Sequence, residues 1–64
     1  MYTYELWAWT YTNGYREWSK KIRRQKELTE ERKNRLAGNF ADMLSTKYNC
    51  NIALYGCNKI EENV

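Results

Sequence analysis

The side chains best suited to metal binding or redox chemistry in this sequence are two cysteines, Cys50 and Cys57. If residues 50–57 form a strand, the cysteines lie about 23 Å apart on opposite faces, whereas a disulfide requires Cα atoms within about 7 Å of each other. A structural zinc site requires four ligands, and the sequence contains no histidine to complete one. We therefore interpret both cysteines as small, half-buried apolar residues, and we expect no metal and no cofactor.

Catalytic residues are also poorly represented. The absence of histidine removes the usual general base, and neither Ser19 nor Ser45 lies in a Gly-x-Ser-x-Gly turn. The sequence pattern does not identify any two of the eight carboxylates as an acid–base pair. A chain of 64 residues also has little volume with which to enclose a cavity of the usual ~300 Å³ or more. The sequence therefore predicts that the protein is not an enzyme.

Positive charge is concentrated in one part of the chain. Residues 16–35 contain nine of the 11 basic residues and four glutamates, a net charge of +5, whereas the rest of the chain carries two basic and four acidic residues, a net charge of −2. A basic segment beside aromatic residues suits a phosphate backbone and stacked bases, but a solvated, charged edge strand that prevents aggregation has the same composition. The candidate residues for binding nucleic acid or another partner are Tyr4, Tyr15, Arg16, Lys20, Lys21, Arg23, Arg24 and Lys26.

The basic segment follows a strong hairpin signal. Aromatic and β-branched residues dominate residues 2–12, which favours a strand. The dipeptide Asn13-Gly14 comes next and is typical of a type I′ turn of two residues. We therefore predict an antiparallel hairpin with strands at 2–12 and 15–24.

A turn of two residues also predicts which side chains share a face. Trp9 would pair with Trp18, and one face would carry Trp7, Trp9, Trp18 and Ile22. The other face would show Tyr4, Thr10, Tyr15, Lys21 and Arg23 to solvent. The good helix formers that follow Trp18 leave the alternative that residues 15–28 are helical.

Residues 29–48 have the strongest helix pattern. Thr29 can cap the first turn, where the helix dipole favours the negative charge of Glu30 and Glu31. Asn49 can adopt the left-handed conformation that ends a helix. One apolar stripe is formed by Leu36, Phe40, Met43 and Leu44.

A short third strand is expected at residues 51–57, and the tail at 60–64 is expected to fray. This order predicts an α+β fold, a single two-layer β-β-α-β mini-domain over residues 1–64, in which one helix covers the N-terminal hairpin and the C-terminal strand. We expect the helix to cover the face that carries the tryptophans and Ile22.

The composition also bears on compartment and source. No apolar run exceeds four residues, so we expect no membrane span, and the first residues lack the basic and apolar regions of a signal peptide. Two cysteines are too few for a disulfide framework, which favours a reducing cytoplasm. The frequent Asn, Lys and Tyr have A/T-rich codons and suggest a phage or mobile element as the source.

Three functional hypotheses follow. The leading one is a small non-catalytic binding protein that engages nucleic acid through a basic, tyrosine-bearing hairpin surface. The alternative is a phage-type protein-interaction module that inhibits a larger host enzyme stoichiometrically through a Tyr/Trp/Arg patch. The third is a binder of a nucleotide ligand. A homodimer through the exposed hairpin edge is a further possibility.

Overall fold

The fold has four elements, seen in a computed structural model that describes residues 1–62. Strand β1 spans Tyr2–Thr10, β2 spans Arg16–Arg24, helix α1 spans Glu30–Tyr48 and β3 spans Ile52–Glu62. The three strands form one antiparallel sheet in the order β2-β1-β3, so β1 is central and β2 and β3 are edges. The predicted α+β class and the β-β-α-β order are confirmed, and the alternative of a helix over residues 15–28 is wrong.

The hairpin connection is longer than the two residues predicted, because β1 ends at Thr10 and β2 begins at Arg16. Asn13 and Gly14 still provide the backbone reversal with positive φ values of 59° and 103°. The Gly14 N–H donates to the Tyr11 carbonyl at 3.2 Å. The Asn-Gly signal therefore locates the turn correctly without fixing the length of the connection.

The longer connection shifts the hairpin register by one residue. Ala8 lies opposite Trp18, and Trp9 lies opposite Glu17, so the predicted pairing of Trp9 with Trp18 is wrong. Because successive side chains of a strand point to opposite faces, this shift reverses the face of every β2 side chain relative to those of β1. Trp18 therefore shares a face with Ala8, while Trp9 points the other way.

Helix α1 covers the opposite face of β1 from the one predicted. The even-numbered side chains of β1 are buried beneath it, namely Tyr4, Leu6, Ala8 and Thr10. The helix contributes Ala37, Phe40, Ala41 and Leu44 to the same core. Trp18 and Ile22 pack against this core as predicted, but Trp7 and Trp9 lie on the face away from the helix. Small side chains on β1 and α1 explain this arrangement, because they allow the closest approach of the two layers.

The ends of α1 follow the sequence signals. The Thr29 hydroxyl accepts the Arg32 N–H at 3.2 Å, and Asn49 ends the helix in the left-handed conformation, with φ of 50°. Side chains one turn apart form ion pairs along the helix. Lys33 Nζ lies 2.6 Å from Glu30 Oε1, and Arg35 Nη2 lies 3.6 Å from Glu31 Oε1. No helix within residues 1–62 is both long enough and apolar enough to cross a membrane.

Strand β3 is longer than predicted, and it continues through Ile60 to Glu62. The tail predicted to fray at 60–64 is therefore strand over residues 60–62, and positions 63 and 64 lie outside the described residues. Two register irregularities, at Thr3/Tyr4 and at Trp9/Thr10, let the 11 residues of β3 pair with the nine of β1. The polar sequence of an exposed edge strand conceals this extension, because it lacks apolar alternation.

Gly56 offers a direct test of this packing. A Cβ atom at position 56 would lie 2.6 Å from Cζ2 and 2.8 Å from Cε2 of Trp7. We expect Gly56→Ala to displace the Trp7 ring and to lower the free energy of unfolding by about 1–3 kcal/mol, as overpacking does.

Gly38→Ala is the matched control, since a Cβ atom there meets nothing within 4 Å. It should raise the stability by about 0.5–1 kcal/mol, because alanine favours a helix over glycine. Urea unfolding of both variants measures the two effects. A stable Gly56→Ala variant with an unchanged tryptophan emission spectrum would contradict the packing of Trp7 on Gly56.

Candidate functional site

The side chains on the face of the sheet opposite α1 form what we call the open face. The alternation of the three paired strands places on it Thr3, Glu5, Trp7 and Trp9 of β1, Glu17, Ser19, Lys21 and Arg23 of β2, and Leu54, Gly56, Asn58 and Glu61 of β3. The open face therefore combines two indole rings with polar and charged side chains of both signs. Apolar groups displayed in this way are a common mark of an interaction surface.

Three aromatic rings meet at the hairpin end of the open face, and we call Trp9, Tyr11 and Tyr15 the hairpin cluster. The Trp9 ring lies edge-on to Tyr11, with centroids 5.1 Å apart, and 6.2 Å from Tyr15. The two tyrosine rings lie 5.6 Å apart. Tyr11 is 67% exposed and Tyr15 is 55% exposed. The rings thus hold one another in place while much of their surface remains available to a partner.

The hairpin cluster is supported by polar contacts from the loop. The Tyr15 hydroxyl donates to Glu17 at 2.6 Å, and this hydrogen bond is the main reason why the pKa of Tyr15 is raised. On the other side of the loop, the Thr10 hydroxyl donates to the Asn51 carbonyl, and Thr12 accepts the Asn51 N–H at 3.1 Å. The loop is therefore hydrogen-bonded both to β2 and to the residue that precedes β3.

A hollow of about 330 Å³ lies beside the hairpin cluster, open to solvent. It is lined by Glu5, Trp7, Ala8, Trp9, Glu17, Trp18 and Ser19. It forms because the Trp7 ring leans over Gly56 of β3, while the small Ser19 faces Trp7 from β2. The indole N–H of Trp7 is buried, and within residues 1–62 it makes no hydrogen bond. The hollow therefore has aromatic walls with carboxylates beside them.

Basic side chains surround the exposed edge strand β2. Lys21 and Arg23 lie on the open face, whereas Arg16, Lys20 and Arg24 lie on the side of the helix. The glutamates that follow β2 form ion pairs with other cations: Glu27 with Lys59 at 2.6 Å, Glu30 with Lys33, and Glu31 with Arg35. We define the basic edge as the cations of residues 16–35 that form no ion pair with any of the described residues, namely Arg16, Lys20, Lys21, Arg23, Arg24, Lys26 and Arg32.

The helix side of β2 is shaped as a groove, because α1 packs on β1 and β3. At one end Arg16 lies over the rings of Trp18 and Tyr48, 5.0 and 4.9 Å from their centroids, and these two rings stack at 5.2 Å. At the other end is a cavity of about 210 Å³ lined by Arg24, Leu28, Arg32, Arg35 and Leu36. The groove therefore has an apolar floor and a cationic rim.

Two contacts fix the segment between β2 and α1. The Tyr4 hydroxyl accepts the Leu28 N–H at 2.8 Å. Lys59 of β3 binds the Glu27 carboxylate, and this bond to Lys59 lowers the pKa of Glu27. Lys26 stands exposed in the same segment, next to the end of β2. Its position relative to β2 is thus set by contacts across the sheet.

Most of the predicted binding residues lie at or near the basic edge. Lys21 and Arg23 face the open side as predicted, and Tyr15 is exposed beside them at the hairpin end. Tyr4 is the exception: it is only 1% exposed, on the helix side, so its predicted role in base stacking is wrong. Thr10 was also expected on the solvent face, and it is fully buried. Both errors have the same cause, which is the choice of the wrong face of β1.

Sequence reasoning missed Trp7, Trp9, Tyr11 and Arg32 as candidates for binding. The tryptophans were assigned to the core because large aromatic rings usually supply buried area in a small domain. The available signal was Ala8 between them, since an alanine marks the face of a central strand that a helix can approach most closely. Arg32 could have been found from its position on the turn of α1 that follows the basic strand.

The cysteines occupy structural positions. Cys50 is buried, Cys57 is half-buried, and both are free thiols. Burial raises the pKa of the Cys57 thiol, which disfavours the reactive thiolate. Within residues 1–62, no group of three or more His, Cys, Asp or Glu side chains is placed to hold a metal ion.

The chain was compared with known proteins at three levels. No protein-family model, no curated protein and no solved structure matches it. We therefore infer function from the geometry and charge of the open face and the basic edge.

The bond between Tyr15 and Glu17 can be tested by titration. The raised pKa of Tyr15 reflects donation to the carboxylate and the cost of placing a phenolate beside a negative charge. We expect Glu17→Gln to lower the pKa of Tyr15, because it removes that charge. Ring-carbon NMR during an alkaline titration of the unmodified protein and the variant would follow Tyr15. An unchanged Tyr15 pKa would show that the bond does not persist in solution.

Proposed function

We propose that this protein is a non-catalytic binding protein that engages nucleic acid through its basic edge. The observation that carries the proposal is the concentration of seven cations, none in an ion pair with the described residues, along the edge strand β2, in the segment after it and in the first turn of α1. Clustered cations repel one another, and a phosphate backbone relieves this repulsion while releasing its own counterions.

The spacing along β2 supports this proposal. Alternate residues of a strand lie about 6.6 Å apart, and the distance from Arg16 to Arg24 is about 26 Å. Phosphates of one strand of a duplex recur every 3.4 Å along its axis, so the length of β2 spans several of them. Cations project from both faces of the strand, with Lys21 and Arg23 on one side and Lys20 on the other. A phosphate backbone that follows the edge would meet positive charge on either side.

A second candidate function is binding to a protein, as a stoichiometric inhibitor of a larger enzyme. The groove between α1 and β2 favours it, because Leu28 and Leu36 offer an apolar floor beneath Arg24, Arg32 and Arg35. An acidic, amphipathic segment of a partner would fit such a groove. Either function is consistent with a reducing, cytoplasmic setting for the free thiols. The apolar contacts with Leu28 and Leu36 are less sensitive to salt than contacts with phosphates, so affinity for such a partner should fall less steeply as salt rises.

Removal of two edge cations tests the proposed function. We expect Lys21→Gln with Arg23→Gln to weaken binding of labelled 12-nucleotide single strands and 12-base-pair duplexes by about tenfold or more at low salt. The slope of log affinity against log salt should fall by about 0.7–0.9 for each phosphate that the variant no longer neutralises. Fluorescence anisotropy over a series of KCl concentrations measures both quantities.

The matched control is Lys33→Gln with Lys47→Gln, which has the same net charge. Both lysines lie on α1, where Lys33 is paired with Glu30 and Lys47 is in the last turn, so we expect little change in affinity. Equal affinities for the two double variants would show that total charge alone governs binding. If the unmodified protein binds neither the single strands nor the duplexes, the proposed function is wrong.

A further inference from the structure

We propose that the nucleic acid is single-stranded and that its bases stack on the hairpin cluster, Trp9, Tyr11 and Tyr15. This inference rests on the proposed function and specifies its ligand. A duplex keeps its bases paired and stacked on one another, and it presents mainly phosphates to a basic strand. A single strand can also use aromatic rings beside the cations, because its bases are free to stack on side chains.

The exposure of the rings is the first argument. Tyr11 and Tyr15 are more than half exposed, although they belong to a domain so small that buried apolar area limits its stability. The Trp9 ring at the centre of the cluster lies on the face away from α1. The structure therefore leaves two tyrosine rings largely at the surface beside the half-buried Trp9, and these two rings do little for the core. Stacking with a ligand accounts for this placement.

The rigidity of the hairpin cluster is the second argument. Tyr11 and Tyr15 each contact Trp9 and each other, and the hydroxyl of Tyr15 is held by Glu17. Thr12 joins the loop to Asn51 at the start of β3. Rings that are held in place before binding give up less conformational entropy when a base stacks on them.

The position of the cations is the third argument. Lys21 and Arg23 lie on the same face of β2 as Glu17, at distances of about 13 and 20 Å along the strand. A single strand could therefore stack bases on the hairpin cluster while its following phosphates reach these two cations. The hollow beside Ser19 lies between the two contacts and offers space for one more base beside Trp7 and Trp9.

The carboxylates on this path are compatible with the proposal. Glu17 already accepts the Tyr15 hydroxyl, and Glu5 lies opposite Lys21 in the strand pairing, where the cation offsets its charge. Carboxylates can also accept hydrogen bonds from the amino groups of bases. Lys21 and Arg23 balance these two carboxylates on the open face, and Arg16, Lys20 and Arg24 on the helix side of β2 give the strand its positive charge.

The experiment compares three probes with two tyrosine variants at low salt. The probes are a 12-nucleotide thymidine DNA, a 12-nucleotide uridine RNA and a 12-base-pair DNA duplex. For the unmodified protein, we expect both single strands to bind and to quench tryptophan fluorescence. Tyr11→Ala with Tyr15→Ala should weaken single-strand binding by about tenfold or more, since base–aromatic stacking contributes about 1–3 kcal/mol per base. It should leave duplex affinity within about twofold of the unmodified protein.

The matched variant Tyr11→Phe with Tyr15→Phe retains both rings and loses the Tyr15 hydrogen bond to Glu17, and we expect it to bind single strands much more tightly than the alanine variant. Circular dichroism melts confirm that each variant is folded. Unaltered single-strand binding by the alanine variant would overturn the stacking proposal, and so would equal weakening of single-strand and duplex binding. A dimer that the alanine variant dissociates would also overturn it, by assigning the cluster to a second copy of the chain.

The outcome separates the two proposals. If Lys21→Gln with Arg23→Gln abolishes binding while the alanine variant does not, nucleic-acid binding stands and stacking fails. If the unmodified protein binds none of the three probes, both fail.

Discussion

The rest of the structure depends on the close approach of α1 to the central strand. Ala8 of β1 and Ala37 of α1 lie together in the buried core, and their small side chains let the two layers meet without a gap. If the face with Trp7 and Trp9 were turned inward, two indole rings would hold the helix away from the strand. Phe40 and Leu44 could then no longer pack closely enough to stabilise a core of this size.

This constraint also determines what the surface displays. Since Ala8 of β1 faces the helix, its neighbours Trp7 and Trp9 must face away from it, on the same side as Ser19, Lys21 and Arg23 of β2. The open face thus acquires aromatic rings next to cations as a consequence of how the core is built. Helix α1 meanwhile packs on β1 and β3, so the other side of β2 becomes a groove with a cationic rim. The two surfaces meet along a single exposed edge.

The elements of the fold could be predicted from the sequence because their signals are local. Thr29 and Asn49 mark the ends of α1 through their own side-chain and backbone preferences, and Asn13-Gly14 marks the turn. The register could not be predicted, because Asn-Gly is compatible with connections of different length and each one-residue slip reverses a face. The full length of β3 was concealed by its polar sequence beyond Cys57.

The distinction between local signals and features set by the register also applies to the candidate site. The cations of β2 were identifiable from charge alone. Lys21 and Arg23 also keep their predicted face, because the error in register and the error in the face of β1 cancel each other for β2. The exposure of Tyr15 was identifiable from its place beside the turn. The burial of Tyr4 was not, since it depends on which face of β1 the helix covers and on the contact of its hydroxyl with Leu28.

The central position of β1 has a consequence for folding. Its two partners come from different parts of the sequence: β2 follows it directly through a short loop, whereas β3 arrives only after the whole of α1. A chain that has formed its hairpin and helix therefore still has one side of its middle strand unpaired, with backbone groups ready to join any extended segment nearby. Closure of that side requires pairing between residues far apart in the chain, such as Leu6 with Cys57, and pairings of this kind are slow to form. Docking of β3 is thus the step at which the nascent molecule is most vulnerable to pairing with a neighbour.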